Sequence, residues 1–418
     1  MTDARLASSL PLLDDMLRPL LLSQERERTF FDDGKEVQEL RHNFFPITRQ
    51  HVYLNHASTG PLPSPVAHTL HEYIDDTSRF GGINAQRWQE HQLDTHRRLA
   101  SLLNVRPDQI ALTSSTGDGL MHIAQGLDWQ DGDTIVTAEG EFPSNIYPWL
   151  NLQELGVKVH ITPTHNHRLI ADDVCASIDE HVRLVSLSLV EFSTGLRNDI
   201  ATIAAFCHQR GIVCGIDAIQ AMGVLNIDAQ ALGVDYIAAA AHKWLLGPHT
   251  TGILYISDDL LTRLQVRRRS WLSVEEPFDF FNYQQPLKEG AVRFEHSSSN
   301  SLPIVGLGAS LSVFECLEGG MQNVEARVLG ITDYAIAGLE RLGYPVISPQ
   351  GQGERSGIVC FTPHPDRLDL TAQAITDLLA ERNIFVAARG SAIRVSPHFY
   401  NTLEEIDTLL NTLEETKR

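Results

Sequence analysis

Two residues that could do covalent and acid–base chemistry lie at the ends of apolar segments near the middle of the chain. Lys243 directly follows His242, in a loop between two apolar segments, 235–237 and 252–256, that are typical of buried strands. Asp217 ends another apolar segment upstream. A loop lysine is usually a solvated charge, but an amine held between buried elements is a potential nucleophile. A carboxylate at the end of a strand is a potential partner for a buried positive charge.

These two groups are the ones that a pyridoxal phosphate site requires. The amine forms a Schiff base with the cofactor, and the carboxylate pairs with the pyridinium nitrogen so that the ring can accept electrons. The segment 242–248, HKWLLGP, resembles the lysine segment of the class V aminotransferase family, which includes cysteine desulfurases, selenocysteine lyases and isopenicillin-N-epimerase-like enzymes. The resemblance implies that Lys243 is the catalytic lysine, that Asp217 binds the cofactor and that the cofactor is pyridoxal 5'-phosphate.

A small polar turn, TSSTGD, separates a predicted strand at 110–113 from a predicted helix that runs to Leu127. Backbone N–H groups at the start of a helix bind anions, the hydroxyls of Ser115 and Thr116 add donors, and Gly117 allows close approach. Alone, such a turn is typical of a plain helix N-cap. In the family context it resembles the loop that binds the cofactor phosphate, which implies cofactor contacts from Ser115, Thr116 and Gly117.

Further cofactor contacts follow from the resemblance. Phe142 occupies the position of a histidine that stacks on the ring in desulfurases, and a phenyl face keeps the stacking but not the proton transfer. Gln220 resembles the residue that hydrogen-bonds the phenolic oxygen, and His242 is a donor toward the phosphate. Ala240 stands where many relatives have a serine, so one hydroxyl contact is missing. Ser298 matches a threonine that reaches the partner's cofactor phosphate, which implies a homodimer with shared active sites.

The substrate side is expected to come from both ends of the chain. The loop after a short N-terminal strand resembles the family's loop on the substrate side of the cofactor, so Asn55, His56 and Ala57 are predicted to bind substrate. His56 is also compatible with an ordinary loop histidine. Arg394, followed by a Ser-Pro-His segment, matches the family arginine that binds the α-carboxylate, since a planar guanidinium pairs bidentately with a carboxylate. Arg389 is a second candidate for that contact.

The elements that must position these residues form an alternating pattern. Strands alternate with helical segments from about residue 110 to residue 256, which is typical of a doubly wound α/β sheet. In such sheets ligands bind at the carboxyl ends of the strands, where Asp217 falls. The resemblance implies the fold type I of pyridoxal-phosphate-dependent transferases. A large cofactor-binding domain with a mostly parallel sheet is predicted at 46–290, and a smaller C-terminal α+β domain at 291–418.

Residues 1–45 are predicted to form an N-terminal helical extension. Leucines recur there at helical spacing, but Pro11 and Pro19 interrupt one continuous helix, and a second short helix is predicted at 34–43. One interpretation is that the extension packs against a neighbouring domain or subunit. The other is that it forms a lid over the active site.

Composition limits the classes of partner. The chain has 418 residues and a net charge of −20, which argues against a nucleic-acid surface and against binding to anionic membranes. Its five cysteines show no C-x-x-C pairing, so neither a disulfide framework nor a zinc site is indicated. No signal peptide or membrane-spanning stretch is evident, so we expect a cytoplasmic enzyme that needs no metal.

The reaction is narrowed by one missing residue. Desulfurases carry a nucleophilic cysteine on a loop before the carboxylate-binding arginine, whereas the segment 389–393 is short and has no cysteine. Persulfide-forming desulfuration is therefore disfavoured. An aminotransferase that deprotonates Cα of a small L-amino acid is the favoured function; a β-lyase for sulfur- or selenium-containing amino acids and an epimerase are the alternatives. A binding protein that kept the fold without the chemistry is the non-enzymatic alternative.

Overall fold

A computed structural model describes residues 35–295, 300–367 and 369–416. The strands are β1 (Val52–Tyr53), β2 (Ile110–Thr113), β3 (Thr134–Ala138), β4 (Lys158–Thr162), β5 (Val182–Ser188), β6 (Val213–Asp217), β7 (Tyr236–Ala240), β8 (Gly252–Ile256), β9 (Val359–Phe361), β10 (Ile384–Phe385), β11 (Ala387–Arg389) and β12 (Ala392–Val395). The α-helices are α1 (Lys35–Phe44), α2 (Ser64–Phe80), α3 (Ala85–Leu103), α4 (Thr116–Gly126), α5 (Tyr147–Leu150), α6 (Ala171–Ala176), α7 (Ile200–His208), α8 (Ala229–Leu232), α9 (Asp258–Arg263), α10 (Ser301–Glu315), α11 (Gly320–Arg341), α12 (Ala372–Glu381) and α13 (Leu403–Thr416).

The central sheet has seven strands in the order β2-β8-β7-β6-β5-β3-β4. Every neighbouring pair from β7 to β4 is parallel, whereas β8 runs antiparallel to both of its neighbours. Strands covered on both faces read as continuous apolar runs, and β6, β7 and β8 are buried along their whole length. The predicted α/β class with a mostly parallel sheet and a smaller C-terminal unit is confirmed.

The parallel strands bring their carboxyl ends to one edge of the sheet. Asp217 is the last residue of β6 and pairs in register with Ala238 of β7. The loop that carries Lys243 leaves the same end of β7, so the predicted strand-loop-strand arrangement around this lysine is present. The turn at Ser115 joins β2 to α4, and the Ser115 hydroxyl caps that helix by accepting a hydrogen bond from the Asp118 N–H.

The C-terminal unit contains a three-stranded antiparallel sheet in the order β11-β12-β9. β11 and β12 form a hairpin in which Arg389 pairs with Ala392, so only Gly390 and Ser391 make the turn. Gly390 has a φ of 58°, a left-handed conformation that glycine adopts without strain. This tight turn leaves no extended loop before Arg394.

Residues that precede the large sheet pack on the C-terminal unit. β1 lies parallel to β10, with Val52 paired to Ile384. In α1, Arg41 forms an ion pair of 2.9 Å with Glu405. The predicted helix at 34–43 is observed as α1. This helix contacts the C-terminal unit, which is the arrangement that one of the two interpretations described. The rest of the extension, 1–34, lies outside the described residues.

The helix α10 begins at Ser301, directly after the undescribed residues 296–299 and Asn300. Pro303 lies in its first turn, where a residue without an N–H interrupts no helical hydrogen bond, so the proline marks a start and not a break. α10 and α11 are bent by 79° relative to each other. Within the described part of the chain, no single helix is long and apolar enough to cross a membrane.

Candidate active site

The lysine loop is held in a compact turn at the edge of the sheet. The Leu246 N–H donates to the Lys243 carbonyl at 3.1 Å, and Leu246 has a positive φ of 55°. From the other side, the Gly60 N–H donates to the His242 carbonyl at 2.8 Å. A Cβ atom on Gly60 would lie 2.2 Å from the Lys243 carbonyl oxygen, so only glycine permits this approach. The turn therefore holds the Lys243 side chain over the carboxyl ends of the strands.

Lys243 and Asp217 are both buried charges with perturbed acidity. Lys243 is 9% exposed, and burial lowers the pKa of its amine to about 8 against the opposing attraction of Asp217. Burial raises the pKa of the Asp217 carboxyl to about 6, although the Ile219 N–H, which donates to it at 2.9 Å, and Lys243 act in the opposite direction. Desolvation disfavours both charged forms, so the pKa of this acid and the pKa of this amine lie closer together than in water.

These groups line a cavity of about 310 Å³ at the edge of the sheet. Ten residues predicted for the site line it: Ala57, Ser115, Thr116, Gly117, Phe142, Asp217, Gln220, His242, Lys243 and Arg394. Six further residues line the cavity. Arg389 was the second candidate for the α-carboxylate, and Ala240 was noted for its missing hydroxyl. No role was predicted for the other four, which are Ser58, Ser144, Phe192 and Ile219.

One end of the cavity has the features of an anion site. It is lined by the first residues of α4, whose N–H groups lack helical partners. The Thr116 hydroxyl is buried there and has no hydrogen-bond partner in the described part of the chain. His242 stacks on His249 with ring centroids 4.5 Å apart, and burial, together with the nearby His249 and Lys243, lowers the pKa of His242 to about 4. His242 is thus a neutral ring, with one N–H to donate at neutral pH.

An aromatic wall stands opposite the lysine loop. The Phe142 ring lies 5.6 Å from Lys243 Nζ and meets Phe192 edge-on at 5.2 Å between ring centroids. Phe142 is 42% exposed, so its face is open for a planar ligand to stack on. The residue before it, Glu141, turns inward and accepts hydrogen bonds from the Ser188 N–H and hydroxyl and from the Asn145 amide. This anchor fixes the backbone that carries the Phe142 ring.

Two arginines from the β11–β12 hairpin form the remaining wall. Arg394 is 1% exposed; its guanidinium donates to the Phe192 carbonyl at 2.9 Å and to Ser58 Oγ at 2.7 Å. Arg389 donates to the same Ser58 oxygen at 2.8 Å and to the Ala388 carbonyl. Burial and the neighbouring Arg389 lower the pKa of Arg394 to about 10. Two cations therefore converge on one neutral hydroxyl beside Lys243.

Two predicted substrate residues do not reach the cavity. His56 is fully buried behind it, with Nδ1 bonded to the Ser396 carbonyl at 2.9 Å and Nε2 to the Tyr400 hydroxyl at 2.6 Å. Both ring nitrogens are occupied, so His56 is a structural histidine and the substrate contact predicted for it is not made from this position. Asn55 forms a backbone bridge with Ser396 and is also absent from the cavity lining.

Gln220 and Ser298 are the two remaining residues that were predicted to contact the cofactor. The Gln220 amide donates to the Ala57 carbonyl at 3.1 Å and accepts from the Trp244 indole at 2.9 Å, which leaves one amide N–H for a ligand. Ser298 lies outside the described residues, so the contact predicted across a dimer interface stays a prediction.

A row of buried acids behind the cavity escaped sequence analysis. Glu191 is 6% exposed, and burial with the nearby Asp217 charge raises its pKa to about 7, against a hydrogen bond from Asn198. Burial and the Glu191 charge raise the pKa of Glu141 well above its usual range. The only available signal was a glutamate next to an apolar strand, which is equally typical of a surface position. The side of the cavity that the sheet forms is therefore backed by acids that burial holds toward their neutral forms.

Comparison with known proteins agrees with the geometry. The family model Aminotransferase class-V matches residues 52–409. A protein named probable cysteine desulfurase from Methanothermobacter thermautotrophicus is 29% identical over 394 residues, covering 88% of this chain and 96% of that protein. The Bacillus subtilis protein named uncharacterized aminotransferase YcbU is 26% identical, covering 89% of this chain and 96% of its own.

Solved structures of similar proteins share the fold. A lysine-to-alanine variant of C-DES, with glycine covalently linked to its PLP cofactor, has a TM-score of 0.83 and 25% identity, covering 90% of this chain and 99% of its own. C-DES as the cystine C–S lyase in complex with its reaction product, cysteine persulfide, has a TM-score of 0.81 and 26% identity over 89% of this chain and 99% of its own. The chain therefore belongs to the class V aminotransferase family and is an enzyme of that family.

Proposed function

We propose that this enzyme uses pyridoxal 5'-phosphate to cleave a β-carbon–sulfur bond in a small L-amino acid, releasing the sulfur product without passing it to an enzyme thiol. The observation that carries the proposal is a substrate wall made by a two-residue hairpin turn, with no cysteine on it, in a chain similar to a cystine C–S lyase. The net reaction converts the amino acid and water into pyruvate, ammonia and a thiol or persulfide.

The cavity fits the cofactor at three independent points. Asp217, buried with a raised pKa, is suited to face the protonated ring nitrogen, whose positive charge would favour the carboxylate. The unpartnered Thr116 hydroxyl and the start of α4 are suited to the phosphate. The open face of Phe142 is suited to the ring. When bound there, pyridoxal phosphate supplies an electron sink for the bond broken at Cα.

Lys243 is the residue that holds the cofactor and then moves the proton. Its amine has a pKa of about 8, so a large fraction is neutral and nucleophilic near pH 8. With cofactor and substrate bound, the same neutral amine would be the base that removes the Cα proton. The proton that Lys243 removes from Cα is then available to the departing sulfur. The same amine therefore acts first as a base and then as an acid.

Arg394 orients the substrate for that step. Its buried guanidinium offers a charge-assisted pair to the α-carboxylate, and its Nε atom is buried with no hydrogen-bond partner among residues 35–295, 300–367 and 369–416. Arg394 and Lys243 line the same cavity, so a substrate held by its carboxylate at Arg394 would lie beside the Lys243 amine. The function of the cavity is therefore to hold Cα between a fixed cation and a mobile base.

The cysteines support release of sulfur as a small molecule. All five lie in the described residues, and none of them lines the cavity. Cys360 is the one paired with Arg394 in the sheet, but it is fully buried, and burial raises its pKa to about 12. A thiol held neutral in the core is a poor nucleophile.

The decisive experiment supplies purified enzyme with cystine and cysteine and measures pyruvate, ammonia and sulfide or persulfide together. β-Elimination gives pyruvate and ammonia in equal amounts. Single serine variants of Cys175 and Cys316, the two partly exposed cysteines, should retain activity. A trapped enzyme persulfide, with activity lost in one of these variants, would contradict the proposal.

Transamination is the second candidate, and the similarity to YcbU favours it. It uses the same Lys243, Asp217 and Arg394, because both reactions start with removal of the Cα proton. The same assay separates the two functions. A transaminase needs an added keto acid as amino acceptor and releases no ammonia, whereas a lyase needs no second substrate.

We also infer that the working enzyme is a homodimer. A second, largely apolar cavity of about 450 Å³ adjoins the site and is lined by Gly117, Met121, Pro143 and Tyr147. Tyr147 is 67% exposed, which is unusual for a large ring beside a catalytic cavity. A second copy covering this surface would bury it. Analytical ultracentrifugation should give twice the chain mass for the wild type, and Tyr147→Glu should shift the enzyme toward monomer.

A further inference from the structure

The β11–β12 hairpin carries more positive charge than one carboxylate needs. Neither Arg389 nor Arg394 forms an ion pair with an acidic residue of the described chain. Among the described residues, Arg389 bonds only to Ser58 and to its neighbouring backbone, and Arg394 only to Ser58 and the Phe192 carbonyl. In a protein with a net charge of −20, two unpaired guanidiniums at one place are an organised anion site.

The register of the hairpin places both arginines on one face. Arg394 pairs with Ala387, so these two side chains share a face of the sheet. Arg389 lies two residues beyond Ala387, and side chains alternate along a strand, so Arg389 shares that face as well. Arg389 and Arg394 are therefore diagonal neighbours across the hairpin, within mutual reach of long side chains.

The two arginines differ in depth. Arg394 is almost completely buried, whereas Arg389 is partly exposed at the turn end of the hairpin. Their terminal nitrogens each lie within 2.8 Å of Ser58 Oγ, so they are no farther apart than twice that distance. Two cations this close together can each bind one acid group of a short dicarboxylate. The wall thus presents an inner cation next to Lys243 and an outer cation nearer to the solvent.

From this geometry we infer that Arg389 is a specificity-determining residue that binds a second carboxylate, located on the substrate's side chain. The inference rests on the proposed amino-acid function, in which Arg394 takes the α-carboxylate. It names the substrate class as amino acids that carry a second carboxylate on the side chain. Ser58, which accepts from both arginines, sets their spacing.

The alternative arrangement is that both arginines hold the one α-carboxylate. The two arrangements make opposite forecasts for ligands with one acid group and ligands with two. If Arg389 is a second arm for the α-carboxylate, its removal weakens both classes equally. If it binds the distal acid, its removal weakens only the dicarboxylate.

Calorimetry of the intact cofactor-loaded enzyme with two unreactive acids separates these cases. Succinate and propionate serve as the dicarboxylate and monocarboxylate probes. We expect wild-type enzyme to bind succinate more tightly, and Arg389→Gln to weaken succinate binding by about ten- to a hundredfold while leaving propionate within about twofold. Arg394→Gln should weaken both. Arg382→Gln, an exposed arginine paired with Glu415, is the matched control and should change neither.

Equal weakening of both acids in Arg389→Gln, or no weakening of either, overturns the inference. Arg389→Lys adds a further check, since it keeps the charge and should retain part of the preference for succinate. Since binding of unreactive acids is measured without turnover, the outcome stands apart from whether the enzyme proves to be a lyase or a transaminase.

Discussion

The two walls of the cavity hold charge in opposite ways. The sheet wall contains Asp217, Glu191 and Glu141, three buried acids whose pKa values are raised chiefly by burial. The hairpin wall contains Arg389 and Arg394, two cations without an acid partner among the described residues. Lys243 lies between them. Burial holds the acids of the sheet wall toward their neutral forms, whereas the arginines of the hairpin wall remain cations.

This difference indicates which charges the cofactor and the substrate must supply. A cofactor with a protonated ring nitrogen provides the cation that Asp217 lacks, and a substrate carboxylate provides the anion that the arginines lack. Among the described residues no ion pair joins an acid of the sheet wall to an arginine of the hairpin wall, so the cofactor and the substrate together would supply the missing partners. Buried charges left without partners are costly, so the protein spends stability to keep the cavity receptive. The predictions below remove these charges one at a time.

Removing the residue between the walls should have the largest effect. Lys243→Ala should abolish the borohydride-reducible link to the cofactor and lower turnover by more than about a thousandfold, because the base for the Cα proton is lost. Absorbance spectra and peptide mapping after reduction check the link. Lys158→Ala, which changes an exposed lysine of β4, is the control. Reduced cofactor found on another lysine would contradict the assignment.

On the hairpin wall, Arg394→Gln should lower kcat/KM for amino acids by about thirtyfold to several-thousandfold. This follows from a loss of about 2–5 kcal/mol when one partner of a buried charged pair is removed. Steady-state kinetics should place most of the change in KM, with any fall in kcat reporting lost orientation. An unchanged KM would remove Arg394 from the substrate wall.

On the sheet wall, Asp217→Asn should lower turnover by about a hundredfold or more, because the electrostatic support for the ring is lost. It should also shift the pH dependence of cofactor capture by the cofactor-free protein. Capture requires a neutral Lys243 amine, so its rate rises with pH through the amine pKa of about 8. Asp217 raises that pKa, so the midpoint in Asp217→Asn should move to lower pH. Stopped-flow absorbance measures both variants, and a midpoint moving upward would refute the coupling.

The smallest expected effect concerns Glu191 and is seen in stability. Its pKa is about 7 in the folded protein against an ordinary value of 4.5, so the folded state holds an extra proton between these values. The stabilisation from this carboxyl is complete below about pH 4.5 and is lost as the pH rises through 7. Glu191→Gln, which keeps the acceptor for Asn198, should therefore gain about 2–3 kcal/mol relative to wild type between pH 5 and pH 8. Urea unfolding at both pH values tests this; a constant difference would show that Glu191 does not titrate there.

Sequence alone located the residues whose position follows from a strand end. Asp217 and Lys243 follow buried strands, and the carboxyl ends of parallel strands meet at one edge, so their proximity could be predicted. Arg394 was found through its similarity to the family arginine. These residues share a local signal, because the backbone element that positions each of them is written in the adjacent residues.

Other features depend on contacts between distant segments. His56 is turned away from the cavity by Tyr400, which lies 344 positions along the chain. Glu191 is buried by the packing of separate elements, and nothing in its neighbouring residues distinguishes it from a solvated acid. The shared contact of Arg389 and Arg394 on Ser58 joins the two ends of the chain. Pairings of this kind follow from tertiary packing and not from local spacing.

The pairing of β1 with β10 has a consequence for how the protein is made. Val52 is paired with Ile384, so this sheet joins segments more than three hundred residues apart. During synthesis the N-terminal segment emerges early but has no partner strand until nearly the whole chain has left the ribosome. Contacts of such high sequence separation form slowly, because a long loop must close first. A fragment cut at 291 would leave an unpaired strand edge, so we expect the C-terminal unit alone to aggregate unless a peptide that contains residues 46–60 is supplied.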